Sequence, residues 1–149
     1  MRRAAIAVAA AATLTLAGPA LADVVRGTPG GDKLHGTPHA DQIYGYRGAD
    51  TIRGGSGNDS LYAGPGDDFL IDGGGADYVA GGGGADIFNV RRGSDVVRAG
   101  AGRDSVLLYH DGRADTVRCG GGVDRVQYTG ALERHDSFVG CEHVVPYTP

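Results

Sequence analysis

The chain has 149 residues, 28 of them glycine, and a formal net charge of -4. One domain fits that length, the acidic balance without a basic stripe excludes nucleic acid as a partner, and so much glycine with so few large apolar residues excludes a conventional thick core.

The N-terminus does not read as part of a fold. Arg2 and Arg3 form a positive region, residues 4–17 form a short apolar run, and Ala20-Leu21-Ala22 places small residues where a signal peptidase reads them. Residues 1–22 are therefore expected to be a secretory signal peptide cut after Ala22. The apolar run is too short for a membrane span and no stop-transfer segment follows it. Without Arg2 and Arg3, 12 Lys+Arg face 18 Asp+Glu, and the net charge moves to -6. Such a chain attracts cations. Cys119 and Cys141 are the two cysteines. In an oxidising compartment they are expected to form a disulfide.

From residue 27 onwards the chain repeats with a period of nine. Aspartate falls at Asp32, Asp41, Asp50, Asp59, Asp68, Asp77, Asp86, Asp95 and Asp104 without a slip. Two positions later stand Leu34, Ile43, Ile52, Leu61, Leu70, Val79, Phe88, Val97 and Val106. Two positions earlier stands glycine in every unit except the second, which has His39. Three residue classes held in phase over nine units are not a low-complexity accident.

Nine residues are too few for a helix-turn-helix unit. They suffice for a six-residue loop and a three-residue strand. Two units then make one coil of a flattened solenoid, with the central apolar residue of each strand inward and its neighbours outward. The expected fold is all-β, a right-handed parallel β-roll with coils about 4.8 Å apart. Its core would be a thin double row. Leu34, Ile52, Leu70, Phe88 and Val106 form one half, and Ile43, Leu61, Val79 and Val97 the other. So thin a core cannot order this much glycine unaided.

The same stacking piles the aspartates into columns, one along each edge. Like charges about 5 Å apart repel by about 1 kcal/mol in water, and by several times that at an effective dielectric near 20. The columns imply cations between the charges. Carboxylates and glycine-loop carbonyls are hard oxygen donors with flexible spacing, which suits Ca²⁺ better than Mg²⁺. Zinc or copper would call for histidine and thiolate clusters.

Units such as Gly54-Gly55-Ser56-Gly57-Asn58-Asp59-Ser60-Leu61-Tyr62 and Gly81-Gly82-Gly83-Gly84-Ala85-Asp86-Ile87-Phe88-Asn89 resemble the RTX, or haemolysin-type, calcium-binding nonapeptide G-G-x-G-x-D-x-U-x. The resemblance covers residues 27–107 and, weakly, 112–127. It implies several Ca²⁺ ions, each between two loops on the same edge, held by aspartates and backbone carbonyls. Carried onto this chain, the pairs are Asp32/Asp50, Asp50/Asp68, Asp68/Asp86 and Asp86/Asp104 on one edge, and Asp41/Asp59, Asp59/Asp77 and Asp77/Asp95 on the other. In the units nearest consensus, roughly 54–89, the resemblance adds the loop glycines Gly55, Gly57, Gly64, Gly66, Gly73, Gly75, Gly82 and Gly84. Departures weaken other loops. Asp72 and Val90 replace the first glycine of their units, and Thr28, Thr37, Tyr46 and Arg91 replace the second. The first two loops and the unit at 90–98 are accordingly the weakest candidates.

After Val106 the register breaks, because Asp115 lies eleven residues past Asp104. The period resumes once, with Asp124 nine residues further on. Residues 23–107 thus read as the calcium-binding roll, and residues 108–149 as a degenerate repeat and C-terminal cap, since solenoids need an atypical end. A Cys119–Cys141 bridge would tie that cap down, as the Cys-Gly-Gly-Gly and Cys-Glu ending of similar secreted proteins implies.

No catalytic pattern emerges. The five histidines stand beside no recognisable nucleophile motif, and no H-E-x-x-H occurs. The chain therefore reads as a non-enzymatic, secreted, extracellular calcium-binding protein. The alternative is an interaction or adhesion module in which calcium is only structural. Its partner would be an extracellular protein or surface, met through Phe69, Ile71 and Ile87 on one outer face or Tyr44, Tyr62 and Tyr78 on the other.

Overall fold

The computed structural model describes residues 22–132 and 135–148. The expected signal peptide lies outside them, apart from Ala22. Fourteen strands form two seven-stranded sheets, parallel at every junction, and no helix occurs among the described residues. The first sheet holds β1 (Val24–Arg26), β3 (Gln42–Tyr44), β5 (Ser60–Pro65), β7 (Tyr78–Gly83), β9 (Val96–Gly102), β11 (Thr116–Gly122) and β13 (Ser137–Val139), in that order. The second holds β2 (Lys33–His35), β4 (Thr51–Ser56), β6 (Phe69–Gly74), β8 (Ile87–Val90), β10 (Ser105–Leu108), β12 (Arg125–Tyr128) and β14 (His143–Pro146). Consecutive strands alternate between sheets, so the chain winds as a parallel β-solenoid of about seven coils.

Register follows the apolar column. Ile43 pairs with Leu61, Leu61 with Val79, and Val79 with Val97 in the first sheet. Leu34 pairs with Ile52, Ile52 with Leu70, and Leu70 with Phe88 in the second. A one-residue slip would turn every one of these outward, which fixes the stacking.

The strands outrun the three residues that the period suggests. From β4 to β7 each runs six residues, because the chain stays extended into its glycine loop and pairs there with the next coil, as Gly55 does with Gly73 and Gly64 with Gly82. The first position of each unit thereby becomes a second inward position. Ala63, Val90, Ala99, Leu108 and Cys119 occupy it and join the core. Asp72 occupies it too and is 1 % exposed.

Residues 108–148 extend both sheets. β11 pairs with β9 and β12 with β10, and β13 and β14 add a further coil. The surplus residues sit in the β10–β11 and β12–β13 connections, on one edge, whereas on the other edge the β13–β14 half-coil is shorter than the nine-residue period. Cys119, in β11, is bonded to Cys141, just beyond β13, with the two Cα atoms 5.1 Å apart. Tyr44, Tyr62 and Tyr78 line up on the outer face of the first sheet. Tyr44 and Tyr62 are stacked at 5.0 Å, and Tyr62 lies 5.6 Å from Tyr78. The first pair meets face to face and the second is tilted by 47°.

Candidate metal centres

Each unit's aspartate opens a strand, and parallel stacking sets its carboxylate over the same position of the preceding coil. On one edge the backbone N–H of Asp32 donates to Asp50 Oδ1, Asp50 to Asp68, Asp68 to Asp86 and Asp86 to Asp104, at 2.7–2.9 Å. On the other, Asp41 donates to Asp59, Asp59 to Asp77 and Asp77 to Asp95, also at 2.7–2.9 Å. All seven aspartate pairs expected from the period therefore meet. The columns run further than expected. Asp23 donates to Asp41, Asp95 to Asp115 and Asp115 to Asp136 on one edge. Asp104 donates to Asp124 and Asp124 to Glu142 Oε2 on the other.

One carboxylate oxygen is thus satisfied and the other is not. Oδ2 of Asp50, Asp59, Asp68, Asp77, Asp86, Asp95, Asp104 and Asp124 is buried without a hydrogen-bond partner. A buried polar atom left unpaired costs about 1–3 kcal/mol, and more when charged. Eight in two rows are not a set of isolated defects. These oxygens face the backbone. A Cβ built on Gly45 would press on Asp50 Oδ2 and lie 2.7 Å from the Ala63 carbonyl oxygen of the next coil. At Asp50, Asp59 and Asp86 an orphaned carboxylate oxygen and a carbonyl oxygen therefore converge in the space that Gly45, Gly54 and Gly81 leave open, a hard-oxygen donor set suited to Ca²⁺.

The first coil differs. Asp32 Oδ2 accepts from the Thr28 N–H at 2.6 Å and from the Thr28 hydroxyl at 2.9 Å. Asp41 Oδ2 accepts from the Thr37 N–H at 2.5 Å and from its hydroxyl at 3.0 Å.

The loop glycines of the middle units, Gly55, Gly57, Gly64, Gly66, Gly73, Gly75, Gly82 and Gly84, all have φ between 107° and 155°. Side chains avoid that region, and at Gly75 a Cβ would also strike the Gly57 carbonyl of the coil before. Tyr46, where consensus has glycine, holds φ at 77°, at a cost of about 1 kcal/mol.

Burial sets the protonation behaviour of the columns. It pushes Asp59, Asp68, Asp77 and Asp95 up to about 6, and Asp86 and Asp115 to about 7. Hydrogen bonds from the preceding aspartate's N–H oppose the rise, and the charge of the neighbouring aspartate adds to it. Asp50 and Asp104 are raised for the same first reason. Asp72 rises to about 8, mainly by burial, with the charges of Asp95 and Asp77 contributing. At the exposed end, the Asp124 N–H holds Glu142 below the usual carboxylate range.

Asp115, Asp124, Asp136 and Glu142 extend the columns beyond the nine aspartates of the unbroken period. Their signal was present as an apolar residue two positions on: Val117, Val126, Phe138 and Val144. At Asp115 and Asp124 that signal is the single resumption of the period, and at Asp136 and Glu142 the changed spacing hides it. Asp72 was visible only as a departure from consensus. His35, His39, His110, His135 and His143 are all exposed.

Among curated proteins, none matches this chain. A family model described as the RTX calcium-binding nonapeptide repeat (4 copies) matches residues 20–52, 53–88 and 89–107. These segments take up more than half of the sequence and end where the nine-residue period breaks. The chain belongs to the RTX calcium-binding nonapeptide repeat family.

Proposed function

We propose that this is a secreted, non-enzymatic protein whose solenoid folds when several Ca²⁺ ions bind between stacked loops. The single observation that carries this reading is the double row of eight buried, unpartnered carboxylate oxygens. Asp50, Asp59, Asp68, Asp77, Asp86, Asp95 and Asp104 would hold the ions, with Asp32 and Asp41 completing the terminal pairs. Carbonyls of the loops carrying Gly55, Gly57, Gly64, Gly66, Gly73, Gly75, Gly82 and Gly84 would supply the remaining oxygens. Calcium supplies positive charge that cancels the repulsion within each column. The chain's own residues set where it sits. Gly45, Gly54 and Gly81 keep space open beside Asp50, Asp59 and Asp86, Oδ1 anchors each carboxylate to the coil before, and Oδ2 is left for the ion.

Secretion is supported by the disulfide, which persists in oxidising compartments, and by the signal-like residues 1–22. Extracellular calcium modules bind at about 10⁻⁴–10⁻³ M, so folding would follow export. The domain division follows the same reading, with a signal at 1–22, calcium-binding units at 23–107 and a terminal segment at 108–149. A tyrosine face for an extracellular partner has less support, since Tyr44 and Tyr62 stack on each other and Tyr78 packs at an angle beside them.

The deciding experiment is far-UV circular dichroism of the chain from Asp23 during a Ca²⁺ titration, with Mg²⁺ as control. A cooperative rise in β signal with Ca²⁺ alone is expected. A chain fully folded in chelator, and unchanged by Ca²⁺, would overturn metal-coupled folding.

A further inference from the structure

We propose that Asp72 is an additional ligand, so that Asp72, Asp77 and Asp95 form a three-carboxylate Ca²⁺ site tighter than any site built from the aspartate column alone. The inference rests on the calcium-binding reading above and makes one site unlike the rest.

Asp72 stands at the first place of its unit, where glycine stands at Gly27, Gly36, Gly45, Gly54 and Gly81. A side chain there points inward, towards the column oxygens. At Gly54 a Cβ would lie 2.6 Å from Asp59 Oδ2. An aspartate at this place therefore sends its carboxylate to the oxygen that its own unit's column aspartate leaves unpaired. The structure has that outcome. Ligand oxygens of Asp72, Asp77 and Asp95 all lie within 4.8 Å of one another, and all three residues are buried.

A second observation is independent of the clustering. Asp77 and Asp95 are 2 % and 1 % exposed, and Oδ2 of each has no hydrogen-bond partner. Two unpaired oxygens beside a third carboxylate make a site that demands a cation. Asp72 is itself held in place. Its Oδ1 accepts from the N–H of Gly73, and the N–H of Arg91 donates to Oδ1 at 3.0 Å and to Oδ2 at 3.1 Å. The backbone orients the carboxylate without neutralising it. Ligand charge and rigidity are what tune calcium affinity, and this site has one more carboxylate than its neighbours and a side chain fixed by its own loop and by the next coil.

The test is Ca²⁺ binding to the full chain in competition with a chromophoric chelator, comparing the wild type with Asp72→Asn. The amide keeps one oxygen to accept from the two backbone donors and removes the charge together with one ligand oxygen. The wild type is expected to show one site tighter than the others, and Asp72→Asn to weaken that site on the order of tenfold while leaving the rest in place. Asp72→Gly, which restores the residue found in other units, should do the same and serves if the amide variant fails to fold in saturating Ca²⁺. Unchanged affinities in both variants, with the wild type binding calcium, would overturn the role of Asp72 alone. A wild type that binds no Ca²⁺ would overturn this inference together with the reading beneath it.

Discussion

The first coil and the middle coils share one backbone and one hydrogen-bond column, yet they treat the second carboxylate oxygen in opposite ways. In the first coil, Thr28 and Thr37 donate an N–H and a hydroxyl to Asp32 and Asp41. In the middle coils, glycine stands at that place with positive φ, and Oδ2 of Asp59, Asp68, Asp77 and Asp86 has no partner. One loop satisfies its carboxylate from within, and the other leaves it for an ion. The difference teaches that the aspartate alone does not make a calcium loop in this fold. The residue four places before it decides whether the charge is already answered.

The largest test of that contrast removes carboxylates in pairs. Asp68→Ala with Asp77→Ala should raise the Ca²⁺ midpoint of folding on the order of tenfold or more and reduce cooperativity, because both edges lose a joint between coils. Asp32→Ala with Asp41→Ala should shift it far less. Equal shifts in two circular dichroism titrations would erase the distinction between the coils.

Proton linkage probes the middle coils without mutation. Their carboxylates sit at about 6 to 7 in the metal-free fold, above the ordinary carboxylate value. The folded state therefore holds protons there that the unfolded chain has released. Their contribution to metal-free stability is full below about pH 4 and is lost as pH rises through 6 to 7. In chelator, β signal should be stronger at about pH 5 than at about pH 8. In Ca²⁺ the order should reverse, since protons compete for the same oxygens. A flat profile in chelator would mean that these carboxylates are not buried when the metal is gone.

The disulfide separates the C-terminal coils from both. Replacing Cys119 and Cys141 by serine should cost about 3 kcal/mol of chain-closure stabilisation, read as a lower melting temperature in saturating Ca²⁺. The Ca²⁺ midpoint of the middle coils should move little. A large loss of calcium affinity would instead tie the ion sites to the last coils.

Most of the fold was legible because its period was unbroken. Nine aspartates and nine apolar residues in phase specify two sheets, their register and the pairs that meet, down to Asp59 beside Asp77. What escaped the period depended on local backbone and on insertion. Strand length did, because a glycine loop that looks like a turn stays extended and pairs, as Gly55 does with Gly73. The inward first position did for the same reason, so Val90 and Asp72 read as blemishes when one is core and the other stands among the column oxygens. Asp115 and Asp136 were displaced from register by residues that bulge at one edge. The role of threonine at positions 28 and 37 was not legible, since spacing alone does not fix which oxygen a hydroxyl reaches.

The smallest expected effect bears most directly on the contrast. Thr28→Gly with Thr37→Gly removes the two hydroxyl donors and frees the backbone to adopt the positive φ seen at Gly55. In chelator the first coil should lose about 1 kcal/mol per site, combining a lost hydrogen bond with added glycine entropy. Amide hydrogen exchange at Lys33–His35 and Gln42–Tyr44, the strands that follow these loops, should accelerate about fivefold for each such loss. Adding Ca²⁺ should restore protection in the glycine variant, and change it little in the wild type. If the variant exchanges faster in both conditions, the threonines do no more than stiffen the end of the solenoid. If calcium rescues it, two residue changes will have turned a self-satisfied loop into an ion-binding one.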